Sequence, residues 1–152
     1  MVTTIAAMKV RAVERDDSTE WLRMRNALWP GDGHAEEIES WFAGPDPAAE
    51  VFVVERAGGS LAGFLEVDTR AYAEGCASSP VPFIEGWYVD PDVRRQGLGA
   101  ALVRAAETWA RDRGFTEIAS DVLLENEDSQ AAHKALGYEE VERIVCFRRD
   151  LA

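Results

Sequence analysis

Cysteine, histidine and long apolar runs are scarce in this sequence. Its 152 residues include two cysteines and two histidines. Cys76, Cys146, His34 and His133 show none of the spacings of metal ligands, so we expect reduced thiols and no metal. No apolar run approaches the ~20 residues of a membrane span, and the first residues lack the charged start of a signal peptide. The sequence predicts a cytoplasmic protein without a membrane partner.

Basic residues are also few compared with acids. The chain has 16 Lys and Arg against 28 Asp and Glu, a formal net charge of -12, which excludes nucleic acid as an expected partner. Residues 14–50 hold ten acids and three bases, whereas residues 93–106 hold three arginines and no acid. The first stretch suits a cation and the second an anion, although acidity alone also promotes solubility.

The length and the 47% hydrophobic content indicate one globular domain over residues 1–152. The hydrophobic pattern predicts strands at 9–13, 51–55, 61–67, 83–89 and 116–121, one or two closing strands within 138–151, and helices at 18–28, 35–42, 98–113 and 127–136. In the fourth strand, alternation predicts that Phe83, Glu85, Trp87 and Val89 share one face.

The most informative motif joins the fourth strand to the long helix. Arg94-Arg95-Gln96-Gly97-Leu98-Gly99 combines basic side chains, glycines and the unpaired amides of a helix start, which together favour a phosphate group. A P-loop is excluded because Ala100 and Ala101 follow where that motif needs Lys and then Ser or Thr. A dinucleotide fingerprint is a weaker alternative, since Leu102 replaces its third small residue and little chain follows.

Over essentially its whole length the sequence resembles the GNAT acetyltransferases. The run from Arg94 to Gly99 matches their pyrophosphate motif, and Asn126, Ser129 and residues 135–138 match a second cofactor motif. The resemblance implies acetyl-CoA as co-substrate, and no metal. The residues that it implies for cofactor binding are Trp87, Tyr88, Val89, Arg94, Arg95, Gln96, Gly97, Leu98, Gly99, Ala100 and Asn126.

The same resemblance implies an α/β (α+β) architecture, the GNAT fold. We expect a central, mixed and mostly antiparallel sheet of six to seven strands, flanked by about four helices. The sheet should splay between its fourth and fifth strands, where the pantetheine arm would bind. An amide near Tyr88 or Val89 would then be placed to hold the developing oxyanion.

A narrower resemblance is to the aminoglycoside 6'-N-acetyltransferases of this family. It is carried by residues 28–31, 72–80, 83–86, 119–121 and 139–143. It implies transfer of the acetyl group to the 6'-amine of an aminoglycoside antibiotic, and hence antibiotic resistance. It also implies that Trp29, Tyr72, Glu85, Asp121 and Glu142 line the sugar pocket, although Trp29 is equally explained as a core residue.

The residue types suit this acceptor, because carboxylates bind ammonium groups and aromatic faces bind sugar rings. We predict that Glu85 orients the 6'-amine and takes its proton, directly or through water. Asp121 is predicted to anchor another amine and to share this catalytic work. His133 occupies the position where many GNAT enzymes carry a tyrosine acid. It is predicted either to protonate the leaving thiolate or only to pack inward.

Two other functions remain open at this point. One keeps the fold and cofactor but acetylates a polyamine or a protein amine; the other is a non-catalytic CoA-binding sensor. The resemblance further implies a homodimer, with residues 141–147 as the predicted contact.

Overall fold

A computed structural model describes residues 8–152 of the chain. Its five-stranded sheet has the order β1-β2-β3-β4-β5 and is antiparallel except for the parallel pair β4 and β5. The strands are β1 (Lys9–Ala12), β2 (Glu50–Glu55), β3 (Leu61–Arg70), β4 (Val81–Val89) and β5 (Ala119–Ser120). The helices are α1 (Ser18–Leu28), α2 (His34–Ala43), α3 (Leu98–Asp112) and α4 (Glu127–Ala135). The predicted α/β class, mixed sheet and four helices are confirmed, but the prediction of six to seven strands is wrong.

Helices cover both faces of the sheet because each presents one apolar stripe. On one face, α1 and α2 bury Trp21, Met24 and Ile38 against β2 and β3. On the other face, α3 buries Leu102 and Val103 against the same strands and β4. Among residues 8–152, no helix combines the length and apolarity that a membrane span requires.

A β-bulge in β4 changes which side chains share a face. Glu66 of β3 pairs with Gly86, and the next residue of β3 pairs with Ile84, so Glu85 is the extra residue. The prediction that Phe83, Glu85, Trp87 and Val89 share one face is therefore wrong. Trp87 and Val89 pack against the core under α3 together with Ile84, whereas Phe83 faces the opposite side.

The sheet opens between β4 and β5, as predicted. The two strands pair only through Phe83 with Ala119 and Ile84 with Ser120. From Glu85 to Val89, β4 continues without β5 beside it. The fifth strand is thus shorter than the predicted 116–121, and one edge of β4 is left open along the end of the strand.

The predicted closing strands within 138–151 are absent from the described structure. Residues 138–152 are assigned to no strand, and most of this segment is exposed. The exposed large apolar side chains are Val141, Ile144, Val145, Phe147 and Leu151. A strand needs a neighbour for its backbone hydrogen bonds, and residues 8–152 provide none for this segment.

Candidate active site

The turn after β4 forms the predicted anion cradle. A short 3-10 helix, Pro91–Val93, leads into Arg94, and α3 begins directly after Gly97. Arg95 and Gly97 have positive φ values of 61° and 86°, which turn the chain into the helix. Because the first amides of an α-helix have no partner within it, this turn offers N–H groups to an anion. The cradle therefore fits a phosphate group.

Side-chain hydrogen bonds hold the cradle in place against β4. Arg94 donates from Nε to the Val89 carbonyl at 2.8 Å, and Trp87 donates from Nε1 to the Gly99 carbonyl at 3.1 Å. Asp90 is buried and accepts hydrogen bonds from Arg23 and Arg56. Burial raises the pKa of Asp90, but the two guanidinium groups outweigh it and the net pKa is lowered. An ionised Asp90 thus ties the end of β4 to two distant elements.

The open edge of β4 is flanked by α4. Asn126 caps this helix by accepting a hydrogen bond from the Ser129 amide at 3.1 Å. His133 places Nδ1 2.7 Å from the Ser129 carbonyl and Nε2 2.8 Å from the Ser120 hydroxyl. Its ring lies edge-on to Trp87, with centroids 5.2 Å apart. His133 therefore links α4, β5 and β4 beside the cradle.

Glu85 projects from the bulge and is not free. Arg70 donates to it from Nε at 2.8 Å and from Nη2 at 2.7 Å, one bond to each carboxylate oxygen. The pKa of Arg70 is raised, chiefly by this pairing and further by the charges of Asp121 and Glu74. Glu85 thus pairs directly with Arg70, and the charges of Asp121 and Glu74 act on the same guanidinium from farther away.

Trp29 packs beside Glu85 through the neighbouring glycine. A Cβ atom on Gly86 would lie 2.6 Å from Trp29 Cζ2, so only glycine permits this approach. Trp29 also stacks on His34, with ring centroids 6.1 Å apart, and the central carbon of the Arg25 guanidinium lies 5.1 Å from the centroid of the Trp29 ring. The sequence left open whether Trp29 is core or site, and the structure makes it a partly buried wall beside β4.

The remaining predicted acceptor residues are exposed. Tyr72 lies near the start of the loop between β3 and β4, Asp121 directly follows β5, and Glu142 lies in the C-terminal segment. Val141 reaches back to the loop after β3, where a Cβ atom on Gly75 would lie 2.6 Å from its Cγ2 atom. The parallel pairing of Ile84 with Ser120 thus places Asp121 near Glu85, while Glu142 follows a residue anchored on that loop.

A second acidic group lies beneath Glu85 and was missed from the sequence. Glu66 accepts hydrogen bonds from Trp21 Nε1 at 3.0 Å and Arg25 Nη1 at 2.7 Å, and Arg25 also binds Glu37. Burial raises the pKa of Glu66 to about 7, against the lowering effect of Arg25. The sequence did contain a signal for a buried charge here. Arg25 lies one helical turn after Trp21, on the buried stripe of α1, and both residues bind Glu66.

These groups line a small acidic cavity of about 130 Å³ between the two helices and the sheet. Its charged lining consists of Arg25, Glu37, Glu50, Glu66, Asp68 and Glu85. Carboxylates in this excess attract a cation. The arrangement therefore puts a basic cradle for an anion after the end of β4 and an acidic region for a cation next to its bulge.

Comparisons with known proteins agree with this geometry. The model of the acetyltransferase (GNAT) family matches residues 14–138. Aminoglycoside N(6')-acetyltransferase type 1 of Klebsiella aerogenes is 51% identical over 148 residues, covering 93% of this chain and 96% of that protein. The enzyme of the same name from Stenotrophomonas maltophilia is 42% identical over 148 residues, covering 96% of this chain and 95% of that protein.

Solved structures are similar over nearly the whole chain. AAC(6')-Iy in complex with the bisubstrate analogue CoA-S-monomethyl-acetylneamine has a TM-score of 0.86 at 35% identity, covering 94% of this chain and 98% of that chain. Aminoglycoside 6'-N-acetyltransferase AAC(6')-Ih of Acinetobacter baumannii has a TM-score of 0.88 at 32% identity, covering 95% of this chain and 99% of that chain. The chain therefore belongs to the GNAT acetyltransferase family, as its motifs predicted.

Proposed function

We propose that this protein transfers the acetyl group of acetyl-CoA to the 6'-amine of aminoglycosides. The observation that carries the proposal is the placement of two opposite sites on one strand. The open end of β4 leads into a basic cradle, and the bulge in the same strand presents Glu85 beside Asp121. A polyanionic donor and a polycationic acceptor would therefore meet along β4.

The donor side is proposed to bind acetyl-CoA mostly through backbone. The amides from Gln96 to Ala100 and the side chains of Arg94 and Arg95 would hold the pyrophosphate. The side chains of Trp87 and Val89 pack under α3, so β4 offers its unpaired backbone groups to the pantetheine arm. Asn126, the N-cap residue of α4, is proposed to complete the site.

The acceptor side is proposed to hold the aminoglycoside through charge and aromatic contact. Glu85 and Asp121 would bind ammonium groups, and Glu142 would bind another from the C-terminal segment. Trp29 and the exposed Tyr72 would contact the flat faces of the sugar rings. The excess of acids in this region would also draw the acceptor toward the site.

The chemistry needs no covalent acetyl-enzyme. The amine nitrogen bonds to the acetyl carbonyl carbon, the carbon–sulphur bond breaks, and the ammonium substrate yields an amide, the CoA thiol and one released proton. An amide near Tyr88 or Val89 would stabilise the oxyanion, a contribution typically on the order of 100- to 1000-fold in rate. Burial and the neighbouring Glu117 raise the pKa of the Cys76 thiol, which does not favour it as a nucleophile.

His133 is proposed to position β5 against α4. The Ser129 carbonyl can only accept, so Nδ1 carries a proton, and in the neutral ring Nε2 accepts from the Ser120 hydroxyl. A His133→Ala enzyme should therefore lose thermal stability while the pH dependence of kcat keeps its shape. Loss of one limb of that pH profile would instead identify His133 as the acid that protonates the thiolate.

A thiol-release assay with acetyl-CoA tests the function directly. We expect turnover with aminoglycosides that carry a 6'-amine, and none with matched compounds that carry a 6'-hydroxyl. Consumption of polyamines or protein amines instead would favour the other acetyltransferase hypothesis. Binding of CoA without thiol release from any amine would indicate a CoA sensor and contradict the proposal. Glu85→Gln and Asp121→Asn should each raise the KM for the aminoglycoside.

We also propose that the protein forms a homodimer through its C-terminal segment. Val145 and Phe147 are 77% and 92% exposed, and within residues 8–152 the outer edge of β5 has no neighbouring strand. A second copy would bury these side chains and pair that edge. Sedimentation should show a dimer that Phe147→Asp weakens. A wild-type monomer at assay concentration would contradict this proposal.

A further inference from the structure

The ion pair between Arg70 and Glu85 has the geometry of a fixed support. Its two hydrogen bonds, at 2.8 and 2.7 Å, join one edge of the guanidinium to both oxygens of the carboxylate. Such a bidentate pair sets the plane of the carboxylate as well as its position. Glu85 needs this support because it is the bulged residue of β4, opposite no residue of β3.

The guanidinium is itself held by the sheet. Its central carbon lies 3.6 Å from the centroid of the Phe83 ring, and Phe83 is almost completely buried. A cation stacked on a fixed aromatic face loses much of its freedom of rotation. Phe83 therefore orients Arg70, and Arg70 orients Glu85.

The other charges near this pair are mostly acidic. Asp121 and Glu74 lie close enough to Arg70 to raise its pKa. The acidic cavity below adds Glu37, Glu50, Glu66 and Asp68, where Arg25 is engaged with Glu66 and Glu37. Arg70 is thus the cation that fixes Glu85 within a set of carboxylates.

We propose that Arg70 is a positioning residue for acetyl transfer, which fixes Glu85 as an anchor for an acceptor ammonium group while the released proton goes to water. This inference rests on the proposed function. A carboxylate has about four acceptor positions, of which Arg70 occupies two. Two positions remain for an ammonium group, whereas a proton on either oxygen would neutralise the carboxylate and weaken its charge-assisted pairing with Arg70. The pair is partly exposed, so water reaches it.

The first part of the test separates an anchor from a base. In Glu85→Gln we expect the KM for a 6'-amino aminoglycoside to rise by about 10- to 100-fold, as for a lost hydrogen bond between charged groups. The kcat should change by less than about threefold, because general-base catalysis is worth on the order of 100-fold or more. A kcat loss of that size, together with loss of the acid limb of its pH profile, would overturn the anchor role.

The second part tests whether Arg70 acts through Glu85. Arg70→Met should lower kcat about tenfold, because a misplaced acceptor reacts slowly, while the aminoglycoside KM should not rise, because a competing cation is gone. Arg70→Lys should recover part of kcat. In the Glu85→Gln background, Arg70→Met should have no further effect on kcat. Equal losses in the two backgrounds, or no loss in the single variant, would overturn the proposal.

Arg15→Met is the matched control. Arg15 also pairs with a glutamate, Glu39, and lies 5.1 Å from the Phe42 ring, but it is outside the site. Its kcat and KM should equal those of the wild type, and thermal unfolding should show all variants folded. If wild-type protein consumes no aminoglycoside, the proposed function fails; if it does and Arg70→Met is unchanged, only this inference fails.

Discussion

At the scale of single residues, the pKa of an ionisable side chain depends on how far the fold removes it from water. Glu66 is mostly buried, and its carboxylate is shared between Trp21 and Arg25. Burial raises its pKa from an ordinary 4.5 to about 7, which exceeds the opposing effect of Arg25. The folded protein thus binds a proton more tightly at this residue than the unfolded chain does.

The stability of the protein should therefore fall as pH rises through this interval. Between about pH 4.5 and 7 the folded state holds more protons than the unfolded state, so the free energy of unfolding decreases with pH. From pH 5 to 8, we expect the wild type to lose on the order of 3 kcal/mol relative to Glu66→Gln, measured by urea denaturation. Glu39→Gln, at an exposed acid, should show no such trend. A pH-independent difference between wild type and Glu66→Gln would contradict the assignment.

Gly97 is the residue on which the cradle turns. Its φ of 86° is unfavourable for a residue with a Cβ atom, at a cost of about 1–3 kcal/mol. Gly97→Val should therefore weaken CoA binding by tenfold or more in calorimetry, because the first amides of α3 would be displaced. Gly58→Ala is the control, since Gly58 has no positive φ and open space around it. Unchanged CoA affinity in Gly97→Val would refute this role for the cradle.

At the scale of elements, α1 and β4 are fitted together at one glycine. Trp29 closes α1, since Pro30 follows it and disfavours a helical conformation for the residue before it. Its ring then lies against Gly86, the residue after Glu85. The end of α1 therefore places the Trp29 ring next to the bulge, where it is proposed to form a wall of the acceptor site.

Gly86→Ala should separate these two elements. The new Cβ atom would overlap the Trp29 ring, and overpacking of this kind costs about 1–3 kcal/mol. We expect a lower melting temperature and a higher KM for the aminoglycoside, with the affinity for CoA little changed. Gly44→Ala, at the end of α2 where the space is open, should alter neither quantity. An aminoglycoside KM equal to that of the wild type would show that Trp29 does not line the site.

The elements also show which parts of the fold the sequence can predict. Helix ends marked by local signals, such as Gly97 before α3 or Trp29-Pro30 after α1, were predicted to within one or two residues. The bulge was not predicted, because the residue pattern from Phe83 to Val89 is equally compatible with a regular strand. Arg70 was missed for the same reason, since its contact with Glu85 depends on how two strands pair across that bulge.

The prediction of strands in the C-terminal segment was wrong for a different reason. Residues 138–151 carry the apolar pattern of strands, but that pattern does not say whether the neighbour is in the same chain. The described residues provide no such neighbour, so the segment stays exposed. Strand pairing is a property of the whole molecule, which a local pattern does not predict.

At the scale of the whole molecule, the net charge of -12 should attract the positively charged acceptor and lower its KM. Salt screens attraction between exposed charges, and the Debye length falls from about 10 Å at 0.1 M to about 3 Å at 1 M. The KM for a multiply charged aminoglycoside should rise several-fold over this range in the thiol-release assay. A 6'-amino acceptor with fewer ammonium groups is the control and should show a shallower slope. Equal slopes would mean that the acidic surface does not contribute to capture.

Glu85, Gly86 and Trp87 are consecutive, and we propose that they serve the acceptor anchor, the aromatic wall and the cradle in turn. One insertion or deletion in this tripeptide would disturb the donor and acceptor sites at once. Selection for new antibiotics therefore has little freedom within β4. Changes in acceptor range should arise instead in the loop after β3, at the end of α1 and in the C-terminal segment, where substitutions leave the acetyl-CoA side intact.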